Sequence, residues 1–131
     1  MCGINGLIVR GNSLDGKSAI KIMNQVIKHR GPDGDGIYSD KNVYLGHRRL
    51  SIIDLSDNAA QPMEWGKNCI VYNGEIYNYV ELQKKLINKD HRFTSTSDTE
   101  VLLHGLAIMG IEFLEYLNGM YAFGFYNRET R

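Results

Sequence analysis

Two periodicities divide this chain into strands and helices. Residues 2–9 run apolar through interspersed glycines and read as a strand, broken by the turn residues Gly11, Asn12 and Ser13. Over residues 17–29, Ile20, Ile22, Met23, Val26 and Ile27 recur at helical spacing, which predicts a helix with those side chains on its buried face. The glycine-rich run 31–36 stops it, because Pro32 disfavours helix in the residue before it. Two short strands follow, 37–39 and 42–47, around a tight turn at Asp40 and Lys41. An apolar patch at 50–55 leads into a loop carrying Gln61 and Pro62, and residues 69–73 read as another strand. Asn78 with Glu81, and Ser97 with Glu100, have capping-box spacing and predict two helices. The first runs to about residue 88; the second carries Val101, Leu102, Leu106 and Ile108 and stops at Gly110. Residues 119–126 are apolar and aromatic, predicting a buried interior strand, and 127–130 read as a hairpin turn.

Strands in groups separated by helices predict an α+β layered domain with a mostly antiparallel sheet. The last turn points at a returning strand that would begin where the sequence stops. Residues 1–131 therefore read as part of a domain that continues further, whose open sheet edge would favour a homodimer.

Composition narrows the function. Fifteen Lys and Arg balance fifteen Asp and Glu, so there is no basic surplus of the kind that marks nucleic-acid binding. A small neutral or zwitterionic ligand suits such a chain better. No run reaches the roughly 18 continuous apolar residues of a membrane span, and residues 1–10 lack a secretory pattern. Two cysteines, Cys2 and Cys69, are too few for a disulfide framework, so a reduced cytoplasmic setting is expected. The four histidines have no metal-ligand spacing, and no metal is predicted.

Cys2 follows the initiator methionine. Removal of Met1 would put a thiol and a free α-amine on one residue, and the amine could then serve as the base that activates the thiol. Taken alone, a cysteine here reads more readily as a small buried hydrophobe than as a nucleophile. Asn73-Gly74 could supply a side-chain amide and an unobstructed backbone N–H to an oxyanion, but the same dipeptide is a strong type I′ turn signal. Asp98 directly follows a capping serine, where helix electrostatics alone would explain it. An arginine such as Arg49 can grip a carboxylate with two parallel hydrogen bonds or simply make a surface ion pair. Arg48 reads as a solvated surface charge, and Cys69, in a buried-looking strand, as core.

Blocks spread along the chain weigh these readings against one another. They are Cys2-Gly3-Ile4-Asn5-Gly6, His29-Arg30-Gly31-Pro32-Asp33, Gly46-His47-Arg48-Arg49-Leu50-Ser51-Ile52, Ala60-Gln61-Pro62, Asn73-Gly74-Glu75-Ile76-Tyr77-Asn78 and Ser97-Asp98-Thr99-Glu100. In this order they resemble the class II glutamine amidotransferases, which are N-terminal-nucleophile hydrolases. Pro32-Asp33 and the run from Arg49 to Asp54 are similar to the asparagine synthetase branch. The resemblance implies an αββα sandwich of antiparallel sheets, with Cys2 as nucleophile and Asn73 and Gly74 as oxyanion donors. It implies a glutamine pocket in which Arg49 takes the α-carboxylate and Asp98, with Glu75 close by, takes the α-ammonium. Backbone groups of Leu50, Ser51, Ile52 and Ile53 would complete that pocket. Glutamine would be hydrolysed to glutamate and ammonia through a thioester. The ammonia would pass to a synthetase domain of the parent protein, where ATP and Mg²⁺ serve the conversion of aspartate to asparagine; this chain itself needs no cofactor. Relatives that amidate other carboxylates, other amidohydrolases of the same fold, and a non-catalytic glutamine-binding module are the alternatives.

Overall fold

The computed structural model describes residues 2–11, 14–51, 56–87 and 92–130. Among these, β1 (Gly3–Ile8), β2 (Gly34–Asp40) and β3 (Val43–Arg49) form one antiparallel sheet in the order β1-β3-β2. A second antiparallel sheet, in the order β4-β5-β6, consists of β4 (Met63–Trp65), β5 (Asn68–Ile76) and β6 (Gly119–Asn127). α1 (Gly16–Val26) packs on β1 and β3, while α2 (Tyr79–Ile87) and α3 (Asp98–Met109) pack against each other and α3 lies on β4 and β5. The layers therefore run helix, sheet, sheet, helices. No helix among the described residues is long and apolar enough to cross a membrane.

Alternation along β5 builds two cores from one strand. Cys69 and Val71 face the first sheet and pack with Tyr38, Val43, Leu45 and Tyr126. Ile70, Tyr72 and Ile76 face the other way, into a larger core with Leu82 and Leu86 of α2, Val101, Leu102, Leu103 and Leu106 of α3, and Phe113. The first turn of α3 is buried as well as its middle, so this helix has little polar face to show.

The layer under α1 is different. Of the five apolar residues predicted to face inward, Ile20 is fully buried, but Ile22 and Val26 are 64% and 68% exposed. The residue facing inward one turn after Ile20 is Asn24. Its amide donates to the carbonyls of Gly36 and His47, and its oxygen accepts from the Asn5 amide at 2.7 Å. A seam of amide hydrogen bonds thus joins α1 to β1, β2 and β3. α1 is capped by Asp15, which accepts from Lys17 and Ser18, and ends at Val26, with a 3-10 turn covering Lys28–Arg30.

Several predicted boundaries shift. β2 starts at Gly34, inside the predicted glycine loop, and β4 is a strand where a loop was expected. β6 pairs with β5 over nine residues and forms an open edge of the described sheet. Met120 and Ala122 are exposed, Phe123 and Phe125 only half-buried, and Tyr126 alone in β6 is buried. No described element lies beside its outer edge. The expected homodimer rested on that edge, and the single chain does not bear on it.

Candidate active site

The strands converge on one cavity of about 160 Å³, lined by Cys2, His47, Arg49, Leu50, Ser51, Ala59, Gln61, Tyr72, Gly74, Glu75, Ser97, Asp98, Thr99 and Met120. Cys2 stands just before β1, beside the end of β3, because Gly3 pairs with Arg48. Its Sγ accepts from the Leu50 N–H at 3.3 Å and lies 3.6 Å from the Leu50 carbonyl. The next N–H, that of Ser51, donates to Asp33 Oδ2 at 2.8 Å, and the Asp33 N–H donates to the Arg49 carbonyl at 3.0 Å. The loop after α1, given no chemistry from sequence, thus braces the backbone that holds the thiol.

Asn73-Gly74 is not a turn. Both residues lie inside β5, paired with Ala122 and Tyr121 of β6. Strand alternation sends the N–H groups of Tyr72, Gly74 and Ile76 to the edge of β5 away from β6. The first donates to Gln61 Oε1 at 2.6 Å and the third to Asp98 Oδ2 at 3.0 Å; that of Gly74, between them, faces the cavity. Only glycine fits there, since a Cβ would meet the Met120 carbonyl oxygen at 2.3 Å. Asn73 does not line the cavity itself; it belongs to the set of β5 side chains facing the first sheet. Its Oδ1 is buried without a hydrogen bond among the described residues, so one end of that amide is unspoken for.

At the far wall, Ser97 caps α3 and places Asp98, 4% exposed, as its first residue. Arg49 and Glu75 line the cavity too, with Arg49 Nη2 donating to the Ser56 carbonyl at 2.9 Å. Of the residues singled out from sequence, the cavity gathers Cys2, Arg49, Leu50, Ser51, Gly74, Glu75 and Asp98. Ile52 and Ile53 lie outside the described residues. No group of three or more His, Cys, Asp or Glu side chains placed to hold a metal occurs among the described residues.

Arg48 corrects its sequence reading. It is 6% exposed, donates from Nε to the Gly31 carbonyl at 3.1 Å and pairs with Asp35 at 3.2 Å. α1 and β5 both pack against β3, and neither arginine at its end is free in solvent. Cys69 is core, with burial, and then the Glu64 charge, pushing its thiol pKa up to about 12.

Three lining residues had no role from sequence. Gln61 spans β5 and α3, accepting from Tyr72 and donating to Thr99 Oγ1 at 3.2 Å. The Tyr72 phenol donates to Asp98 Oδ2 at 2.7 Å. His47 is 1% exposed, and burial, partly offset by the Tyr72 backbone and reinforced by the Arg49 charge, lowers its pKa to about 4. Alternation on β3 and β5 would have marked His47 and Tyr72 as inward-facing; the block Ala60-Gln61-Pro62 marked Gln61 without giving its side chain a role.

Comparison with known proteins gives a consistent result. The profile of the family described as "Glutamine amidotransferase domain" matches residues 1–131. The chain is 44% identical to Asparagine synthetase [glutamine-hydrolyzing] 1 of Bacillus subtilis, over 98% of its own length and 21% of that protein. It is 41% identical to Putative asparagine synthetase [glutamine-hydrolyzing] 2 of Methanocaldococcus jannaschii, over 98% of the chain and 28% of that protein. Identity with Asparagine synthetase B [glutamine-hydrolyzing] of Escherichia coli is 36%, over 98% and 24%. The chain thus spans about a fifth to a quarter of these relatives. Among solved structures, glutamine phosphoribosylpyrophosphate amidotransferase of B. subtilis, complexed with ADP and GMP, is similar with a TM-score of 0.57 and 25% identity, over 68% of the chain and 22% of that protein.

Proposed function

The chain belongs to the glutamine amidotransferase domain family, its layers are those of the N-terminal-nucleophile hydrolases, and we propose on that basis how its cavity works and what it serves. Glutamine enters with its side-chain amide against Cys2. The Cys2 thiol passes its proton to the α-amine freed by removal of Met1, and sulfur attacks the amide carbon. The oxyanion that forms is met by the Gly74 N–H on the cavity wall and by the Asn73 amide, reaching it from the face of β5 turned to the first sheet, beside which Cys2 stands. Collapse breaks the C–N bond, the leaving nitrogen takes the proton from the α-amine, and ammonia departs. Water then attacks the thioester, releasing glutamate and restoring the thiol.

The amino-acid end of glutamine is held by other residues of the same lining. Arg49 takes the α-carboxylate, Asp98 the α-ammonium with Glu75 nearby, and backbone groups of the run Leu50, Ser51, Ile52 and Ile53 complete the pocket. The names of the relatives support a use for the ammonia: a synthetase domain in the same protein, where ATP and magnesium drive amidation of aspartate to asparagine. Metal and nucleotide serve that domain and not this one, and a cytoplasmic setting follows from the same reading.

One observation carries the proposal: the Gly74 N–H faces the cavity that Cys2 and Asp98 both line. The test is glutamate release from glutamine by the intact protein with and without Cys2→Ala. We expect Cys2→Ala to abolish release and to leave ammonia-dependent synthesis intact. Undiminished release by that variant would overturn the reading.

A further inference from the structure

Asp98 receives two hydrogen bonds, and both fall on the same oxygen. The Tyr72 phenol and the Ile76 N–H donate to Oδ2 at 2.7 and 3.0 Å, while Oδ1 receives neither. Tyr72 is 3% exposed, its ring packed in the core between the second sheet and the helices, and it lines the cavity alongside Asp98. A phenylalanine would fill that core position equally well, so packing does not account for the hydroxyl. Burial, and then the neighbouring Asp98 charge, push the phenol pKa far upward, so it remains protonated and acts toward Asp98 only as a donor. With one oxygen saturated from two directions, the carboxylate cannot turn about its terminal torsion without breaking both bonds.

We propose that Tyr72 is a positioning residue for the α-ammonium of the substrate: by fixing Asp98 through Oδ2 it leaves Oδ1 as the acceptor for that group. The inference rests on the reading that Asp98 takes the ammonium. It predicts that the hydroxyl matters for ligands that carry the charge and not for ligands that lack it. Tyr72 thereby sets selectivity for α-amino acids over simple amides without touching the reacting atoms.

The test is Tyr72→Phe in the intact protein, with two ligands: glutamine, and 4-carbamoylbutanoate, which is glutamine without its α-amino group. For glutamine, KM should rise about five- to thirty-fold with kcat nearly unchanged, as expected when one bond to a charged group is lost from binding. The inhibition constant of 4-carbamoylbutanoate should not move. Asp98→Asn should weaken glutamine more, and adding Tyr72→Phe to it should cost little further, since the two act through one contact. A purely structural role would weaken both ligands alike and lower the melting temperature, and that result would overturn the inference, as would an unchanged KM for glutamine. Absence of glutamine hydrolysis by the unsubstituted protein would instead overturn the functional reading, and the inference with it.

Discussion

Arg48 and Arg49 stand side by side on β3, and strand alternation sends their side chains to opposite faces of the sheet. Arg48 holds the Gly31 carbonyl and Asp35, so Arg48→Ala should lower stability by about 1–3 kcal/mol, the range for removing a partner from a buried polar contact. Denaturant unfolding checks this, and a midpoint unchanged within error would mean the contact contributes nothing. Arg49 lines the cavity, so Arg49→Lys should instead weaken glutamine binding, because an ammonium cannot reproduce a two-pronged grip. Normal binding by that variant would place the carboxylate clamp elsewhere. Asn73→Ala addresses the oxyanion. Turnover should fall by roughly 10²–10³, with a smaller change in affinity, since the donor matters most as charge develops. A loss confined to affinity would make Asn73 a ground-state contact.

At the level of elements, α3 shows how a capping signal reached further than its spacing implied. Ser97 caps the helix by accepting from the Glu100 N–H, as predicted. Glu100 bends back past it, accepting from the backbone and side-chain donors of Thr94 and Ser95 in four bonds of 2.6–3.0 Å. Burial pushes its pKa upward, but those bonds outweigh it and hold the carboxyl below the usual glutamate range. A depressed carboxylate contributes stability that is present above the unfolded pKa and is lost as pH falls through the folded one. Glu100→Gln should therefore lower stability at neutral pH and flatten the loss below about pH 4.5, as read from urea unfolding across pH. Equal slopes for the two proteins would show that the carboxylate charge is not what matters. The helices on the second sheet, the Ser97 cap of α3 and the strands β1, β3 and β5 were legible in the sequence because each declares itself locally, whereas Asn78, expected to cap α2, turns its side chain to Tyr116 and Asn118 instead. What was not legible depends on distant packing. Ile22 and Val26 kept helical spacing yet face solvent, since the buried surface of α1 is set by Asn24 meeting carbonyls of two strands. Asn73-Gly74 carried a turn signal that pairing with β6 overrides. In the site, motif blocks marked the cavity lining from Cys2 to Asp98, Gln61 included, while the contacts of Gln61 and Tyr72 depend on partners 38 and 26 residues away.

For the molecule as a whole, His47 ties pH to stability in a separate window. Its pKa of about 4 in the fold lies below the ordinary 6.5, so the unfolded chain binds the proton more readily. Stability should fall as pH drops from about 6.5 to about 4 and then level off for this group, by at most about 3 kcal/mol for a gap of that size. His47→Phe, which removes the titrating group and keeps a ring in the buried position, should remove that slope while leaving the Glu100 limb below it. A slope unaltered in the variant would assign it to another group. The two outer layers also differ in kind: the second sheet and its helices close over a broad apolar core, whereas α1 is attached through Ile20 and a row of amides. Bonds of that sort open one helix at a time, at a free energy below that of global unfolding. Deuterium should therefore enter the backbone of α1 well before that of α3. Cooling should narrow the difference, because apolar burial weakens in the cold while the amide row does not depend on it. Ile27, which follows α1, rests against Gly3, the residue after the nucleophile. Transient detachment of this outer helix would thus loosen the strand that carries Cys2, making the rate of that breathing a limit on how constantly the thiol stays aligned.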